Sequence, residues 1–271
     1  VNDDIITSLK YPEAKLLAEY LMIQKRIGML AEGNQAMLKV VREDGRIHGR
    51  VSTNGAVTGR CTHSHPNVAQ TPSAKSPYGR DFRECYIPPP GWTLVGADAA
   101  GLELRCLAHY MGRWDNGAYA EVVSTGTQEE GTDAHTTNQR AAGLPTRDAA
   151  KTFIYAFLYG AGDAKIGSII GKSSRAGKKM KAKFLAGLPA LGKLSKAVLA
   201  KAKGGHLVGL DGRLLHVRST HAALNTLLQS AGALIMKQAL INLEAELTAK
   251  GLRHGIDYAF VANVHDEFQI A

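Results

Sequence analysis

Apolar positions in residues 12–33 recur at helical spacing, with Leu16, Leu17, Tyr20, Leu21, Ile23, Ile27 and Leu30 on the repeat, Pro12 near the start and Gly33 at the end. The pattern predicts an amphipathic helix. Residues 45–59 scatter Gly, Thr and Asn among short alternating runs, predicting a small hairpin, and three prolines in residues 65–78 predict an ordered loop. Residues 93–97 (TLVGA) form a short apolar run that reads as a strand ending on Asp98, and Leu102, Leu104, Leu107, Ala108 and Met111 then follow a helical repeat. Residues 117–211 read as mostly helical with Gly-rich breaks, and residues 219–250 as one long helix. Residues 258–264 read as a strand, His265, Asp266 and Glu267 as a tight turn, and residues 268–270 as the returning strand. No internal repeat or low-complexity linker interrupts this order.

The length, 271 residues, is that of about two domains and suffices to bury roughly 70–75% of the unfolded surface without disulfides. With 45% hydrophobic and 21% charged residues, the composition excludes disordered and collagen-like classes. No apolar run approaches the ~18 residues of a membrane span, and VNDDII places acids where a signal peptide carries Lys or Arg. Cys61, Cys85 and Cys106 are odd in number and lack CxxC spacing, so reduced thiols are expected. Charge changes the picture more. The chain carries +9, and residues 164–210 alone hold eleven Lys or Arg and no acid, leaving −2 for the rest. Such a stripe suits a polyanion through a salt-sensitive term, or a solvated helix face. The chain starts at Val1 and stops four residues after Glu267 inside a strand pattern, so a piece of a longer protein, or machinery divided between chains, is expected.

Two constellations carry candidate chemistry. Asp98 and Asp266 each stand at the tip of a short apolar strand. Two carboxylates converging there would bind hard divalent cations that substrate phosphates complete; equally, Asp98 could cap the following helix and Asp266 a turn. In RDAAKTFIYAFLYG, Arg147, Lys151, Tyr155 and Tyr159 are four residues apart, so each advances only about 40° around a helix. The row suits a nucleoside triphosphate, cations on phosphates and a ring on base or sugar. It would also suit the rim of a helix burying Phe153, Ile154, Phe157 and Leu158.

GWTLVGADAAGLELRCLAHY resembles the first catalytic motif of family A DNA polymerases, RDAAKTFIYAFLYGAG their fingers-helix motif and VHDEFQI their last catalytic motif. GRIHGRVSTNGAVTGRCTHSHPNVAQTP and LDGRLLHVRSTHAALNTLLQSAGA also resemble that family, in the branch found in T7-like phages. The order of the motifs and their reach, from about residue 12 to the end, make the resemblance specific.

The resemblance implies an α+β right-hand polymerase fold with a small antiparallel palm sheet, helical fingers and a thumb remnant. Its expected divisions are the end of a thumb at 1–46, palm at 47–111, fingers at 112–217 and a second, truncated palm segment at 218–271. It implies template-directed addition of deoxynucleotides to a primer, with two Mg²⁺ held by Asp98, Asp266 and the carbonyl of Ala99, and Glu267 in support. His135, Arg147 and Lys151 would bind the triphosphate, Lys151 also donating a proton to pyrophosphate. Tyr155, where many bacterial members have Phe, implies poor rejection of dideoxynucleotides, and Glu103 would crowd a ribose 2′-hydroxyl. Arg60, Asn225, Gln229 and His265 would donate to minor-groove acceptors present on every correct pair, and Tyr159 would also face DNA. His221 stands where bacterial relatives often have Arg, and Ala99 where they often have Tyr. The basic segment would be outer fingers, facing template or single strand. Expected partners are primer–template DNA, dNTP and a processivity factor or further polymerase segments, with no membrane, in the cytoplasm of an infected bacterial host. The competing readings are a single-subunit RNA polymerase, against which Glu103 argues, and a catalytically incomplete DNA-binding fragment.

Overall fold

The computed structural model describes residues 3–271. Two compact units divide them, one made of residues up to Thr53 with Cys61–Leu94 and Ala271, the other of Asn54–Arg60 with Val95–Ile270.

The first unit begins with α1 (Asp3–Ser8) and α2 (Pro12–Ile27). Pro12 starts α2 where a backbone donor is dispensable, Glu13 lies in its first turn and Lys25 and Arg26 in its last, each suiting the helix dipole. A π-helical turn, Gly28–Glu32, extends α2 to Gly33, so the expected helix over 12–33 is found. After α3 (Met37–Val40), β1 (Arg50–Ser52) pairs antiparallel with β2 (Thr62–Ser64), register Arg50↔Ser64. The hairpin therefore lies further along than 45–59. Residues 65–78 hold one short 3₁₀ turn, Val68–Gln70, in an otherwise irregular loop, and α4 (Gly79–Glu84) follows.

The second unit carries every candidate site residue. Its sheet is three-stranded and antiparallel: β3 (Val95–Asp98) lies beside the last strand, β7 (Glu267–Ile270), which pairs in turn with β6 (Phe260–Val264). Between β3 and β6 the chain runs through α5 (Leu102–Asp115), α6 (Ala118–Thr125), α7 (Ala134–Ala142), α8 (Arg147–Leu158), α9 (Asp163–Ser168), α10 (Ser174–Gly187), α11 (Pro189–Ala202), the hairpin β4 (His206–Val208) and β5 (Leu214–His216), and α12 (Ala223–Ala249). The β4–β5 hairpin corrects the mostly helical reading of 117–211.

The core forms around α5, which buries Leu102, Leu104, Cys106, Leu107, Ala108 and Met111 and packs on α6, α11 and α12. Gly232 of α12 admits α5, since a Cβ there would come within 3.2 Å of the Leu102 side chain. The apolar face of α8 buries Phe153, Ile154 and Leu158, with Phe184 of α10 edge-on to Phe153 at 4.9 Å and to Phe157 at 5.2 Å. α9 and α10 approach so closely that a Cβ on Gly177 would lie 2.0 Å from the Asp163 carbonyl oxygen. Lys181 of α10 donates to the Ala161 carbonyl at 2.5 Å and pairs with Asp163 at 3.0 Å, fixing the exit of α8. Of the eleven cations in residues 164–210, ten are exposed on α9–α11 and their connections. Among the described residues no helix is long and apolar enough to cross a membrane.

Candidate active site

Antiparallel pairing sets Asp98, the last residue of β3, opposite Glu267, the first of β7. One step beyond, the Ala99 amide donates to the Asp266 carbonyl at 2.8 Å, so the ladder continues into the turn. The β6–β7 turn needs only His265 and Asp266, and His265 adopts φ 60°, a left-handed conformation that lets the chain reverse in two residues. Strand register thus gathers three acids at one end of the sheet. Desolvation, then the charges of Asp266 and Glu267, push the Asp98 carboxyl above the ordinary carboxylate range. Gln269, two residues along β7, donates its amide to Glu267 Oε1, leaving Asp98 and Asp266 as the acids without a side-chain hydrogen bond among the described residues.

This donor set suits a divalent cation. Two carboxylates and the Ala99 carbonyl supply hard oxygens, and the raised Asp98 carboxyl marks a corner with excess negative charge. No group of three or more His, Cys, Asp or Glu among the described residues forms a metal cage by itself. That partial set fits Mg²⁺, which takes one or two carboxylates and completes its shell from phosphates and water.

α8 places its row as the spacing predicts, with Thr146 capping the helix by accepting from the Ala149 amide at 3.1 Å. Tyr155 of that row senses the acidic corner: burial, then Glu103, Asp266 and Asp98, push its phenol upward. Tyr159, just past the helix, donates to both oxygens of Glu103 at 3.0 Å, and burial with the Glu103 charge pushes its phenol up to about 12. Arg60 donates to Glu103 Oε1 at 3.1 Å. Glu103, only 9% exposed in the first turn of α5, is therefore held by one cation and one phenol.

At the other end of the row stands an acid that the sequence reading passed over. Asp133 caps α7, accepting from the amides of His135 at 2.9 Å and Thr136 at 3.4 Å and from Thr136 Oγ1 at 2.5 Å. It also takes the Arg147 side chain, from Nε at 3.2 and 3.3 Å and from Nη2 at 3.0 Å. Burial would raise its carboxyl, but the Arg147, Thr136 and His135 donors hold it down at about 2. His135, in the first turn of α7, lies 6.4 Å from the Tyr155 ring, centroid to centroid. Desolvation and the Arg147 charge, against the pull of Asp133 and with help from Lys151, lower its pKa and favour the neutral ring. Its Nδ1 is buried without a partner. Lys151 is exposed one turn along α8.

The remaining candidates lie on α12 and in turns. Asn225 and Gln229 are both half-buried, one turn apart on α12, and neither hydrogen-bonds the acidic corner among the described residues. His265 is exposed in the β6–β7 turn, and His221 is exposed in the 3₁₀ turn before α12. The His221 carbonyl oxygen would lie 2.5 Å from a Cβ on Gly160, the glycine after Tyr159, which adopts φ +74°. A side chain at 160 is therefore excluded twice, by conformation and by space.

Comparisons with known proteins identify the family and the fold. The chain is 50% identical to the DNA-directed DNA polymerase of Enterobacteria phage T3 and 50% identical to that of Escherichia phage T7, in each case over 100% of this chain and 42% of the relative. It therefore spans less than half the length of these curated relatives. The thermostable DNA polymerase I of Thermus aquaticus is 28% identical over 82% of the chain and 28% of its own length. In fold, the POL domain of Pol1 from M. smegmatis, solved in complex with DNA primer-template and dNTP, superposes with a TM-score of 0.82 at 23% identity, covering 100% of this chain and 49% of that one. The α+β architecture with its small antiparallel sheet is thus that of a polymerase domain. The model of DNA polymerase family A matches residues 1–271, and the chain belongs to that family.

Proposed function

We propose that the chain is the catalytic part of a template-directed DNA polymerase that adds deoxynucleotides to a primer 3′ end in phage-type replication. The observation that carries this reading is the meeting of Asp98 with Asp266 and Glu267 at one sheet end, within electrostatic reach of Tyr155 on the Arg147 row. Residues 1–46 are then the end of the thumb, 47–111 and 218–271 the palm, and 112–217 the fingers. Primer–template DNA and dNTP, the ligands bound to the mycobacterial neighbour, are the substrates. A processivity factor or further polymerase segments are additional partners. The phage sources of the relatives support a site of action in the cytoplasm of an infected bacterium.

Family A polymerases are metal-dependent, and Asp98, Asp266 and the Ala99 carbonyl are the groups that would hold two Mg²⁺. Bound there, the ions supply a lowered pKa for the primer hydroxyl and charge neutralisation at the phosphates. The protein's own groups do the rest. Arg147, Lys151 and His135 hold the triphosphate, and Lys151 gives a proton to the leaving pyrophosphate. Neutral His135 donates one N–H without adding charge. Tyr155 packs beside the sugar, where a phenol favours acceptance of dideoxynucleotides, and Glu103, pinned by Arg60 and Tyr159, crowds the 2′ position. Arg60, Asn225, Gln229 and His265 face minor-groove acceptors, testing pair shape without reading sequence, and Tyr159 lies beside the template. Glu267 supports the metal corner.

Primer extension by the 271-residue chain tests the reading. Templated incorporation is expected, falling by about 10³-fold or more in Asp98→Ala and in Asp266→Ala while primer–template affinity persists. Absence of extension would leave the DNA-binding remnant, and equal use of ribonucleotides would favour an RNA polymerase.

A further inference from the structure

Asp133 does two things with one carboxylate. It closes the N-terminus of α7, the helix that carries His135, and it holds the guanidinium of Arg147, which opens α8. Those two helices contribute the cationic and imidazole groups beside Lys151, and without a shared fixture their first turns would be free to fray independently. The geometry of the ion pair is specific about which edge of the guanidinium is used. Asp133 takes Nε and Nη2, so the Nη1 end, which makes no hydrogen bond among the described residues, remains available. A guanidinium held by one edge presents its remaining N–H groups in a fixed orientation, the arrangement that suits phosphate oxygens. An acid next to a polyanion site would by itself repel the ligand. Its near-complete burial, with the side chain 12% exposed against 31% for Arg147, turns the charge inward while the cation keeps the outward side.

We infer that Asp133 is a positioning residue for polyphosphate, orienting Arg147 by its Nε–Nη2 edge and His135 through the α7 cap, so that both meet the β and γ phosphates of an incoming nucleotide already in place. This rests on the triphosphate reading given above. The acid touches no substrate; it acts through the two groups it fixes. The side chain of a Ser at this position still caps a helix but cannot hold a guanidinium by two contacts, and Asn caps well and offers one acceptor. The capping and orienting roles are therefore separable.

The test is equilibrium binding to the 271-residue chain on a primer–template ending in a dideoxynucleotide, with inorganic tripolyphosphate, the templated dNTP and a non-templated dNTP as probes. Asp133→Ser should weaken tripolyphosphate and templated dNTP about tenfold, as expected for losing a charged hydrogen-bonded partner, and Asp133→Asn should fall between it and the parent. Arg147→Ala should weaken them at least as much, and Asp133→Ser on top of Arg147→Ala should change nothing further. Unchanged or tighter binding in both Asp133 variants, or additive losses in the double variant, would overturn the inference. A parent chain that binds tripolyphosphate in this Asp133-dependent way yet does not prefer the templated dNTP sinks the polymerase reading and leaves the positioning role standing. A parent chain without affinity for any triphosphate sinks both.

Discussion

Asp98 and Asp133 are the same residue type in the same unit, and the protein moves their carboxyls in opposite directions. At Asp98, desolvation and two neighbouring acids raise the proton affinity; at Asp133, the fork of Arg147 and three further donors overcome burial and hold it at about 2. The difference lies in what is left unfinished. Asp133 sits in a closed set of partners and serves as a fixture, whereas Asp98 and Asp266 make no side-chain hydrogen bond among the described residues and keep their oxygens free for a ligand. Glu103 is intermediate, buried like Asp133 and paired with Arg60, with the phenol of Tyr159 as its other partner.

The contrast can be broken in order of expected effect. The largest change concerns Glu103: shortening it to Ala should raise the ratio of ribonucleotide to deoxynucleotide incorporation by about 10²-fold, because a buried steric and electrostatic obstacle to the 2′-hydroxyl disappears. Competition assays with mixed nucleotides would measure this, and an unchanged ratio would remove Glu103 from the sugar site. Next comes acid. Since the Asp133 carboxyl titrates lower folded than unfolded, its contribution of about 2 kcal/mol is fully present above about pH 4 and lost as pH falls through about 2. The stability gap between the parent and Asp133→Ser, read by denaturant unfolding, should shrink by about that amount over the interval; a constant gap would show that Arg147 does not act on this carboxyl. The smallest effect belongs to Asp98. A raised carboxyl opposes folding above its folded-state pKa and is silent below its unfolded one, so Asp98→Asn should melt slightly higher than the parent at pH 7 without metal and equal to it at pH 3. Lower melting at neutral pH would mean that Asp98 has a stabilising partner.

Much of the site was legible because its residues sit where local pattern and chemistry coincide. A carboxylate at the end of TLVGA and another in the VHDEF turn announce strand tips, and the fourfold spacing from Arg147 to Tyr159 announces one helical face. The three-strand sheet follows from these short apolar runs. Asp133 was less visible, since TDAHTTNQ reads as an ordinary cap and its bond to Arg147 joins residues fourteen apart across a turn. The acid two residues before His135 was the available signal. The β4–β5 hairpin was lost to the helical richness around it, although Asp211–Gly212 between the apolar pairs Leu207–Val208 and Leu214–Leu215 is a hairpin turn signature. The β1–β2 pairing was displaced because Gly and Asn mark the loop of a hairpin, whereas its strands were the polar runs on either side. Pairing across forty or more residues, as between Arg60 or Tyr159 and Glu103, leaves no local trace at all.

That last trio has an evolutionary consequence. Since a single carboxylate is anchored from the loop before β2 and from the end of α8 at once, loosening either anchor lets it swing without being mutated. Selection for a polymerase tolerant of altered sugars would thus have three codons to work with, and variants at positions 60 and 159 would surface in such a screen alongside those at 103.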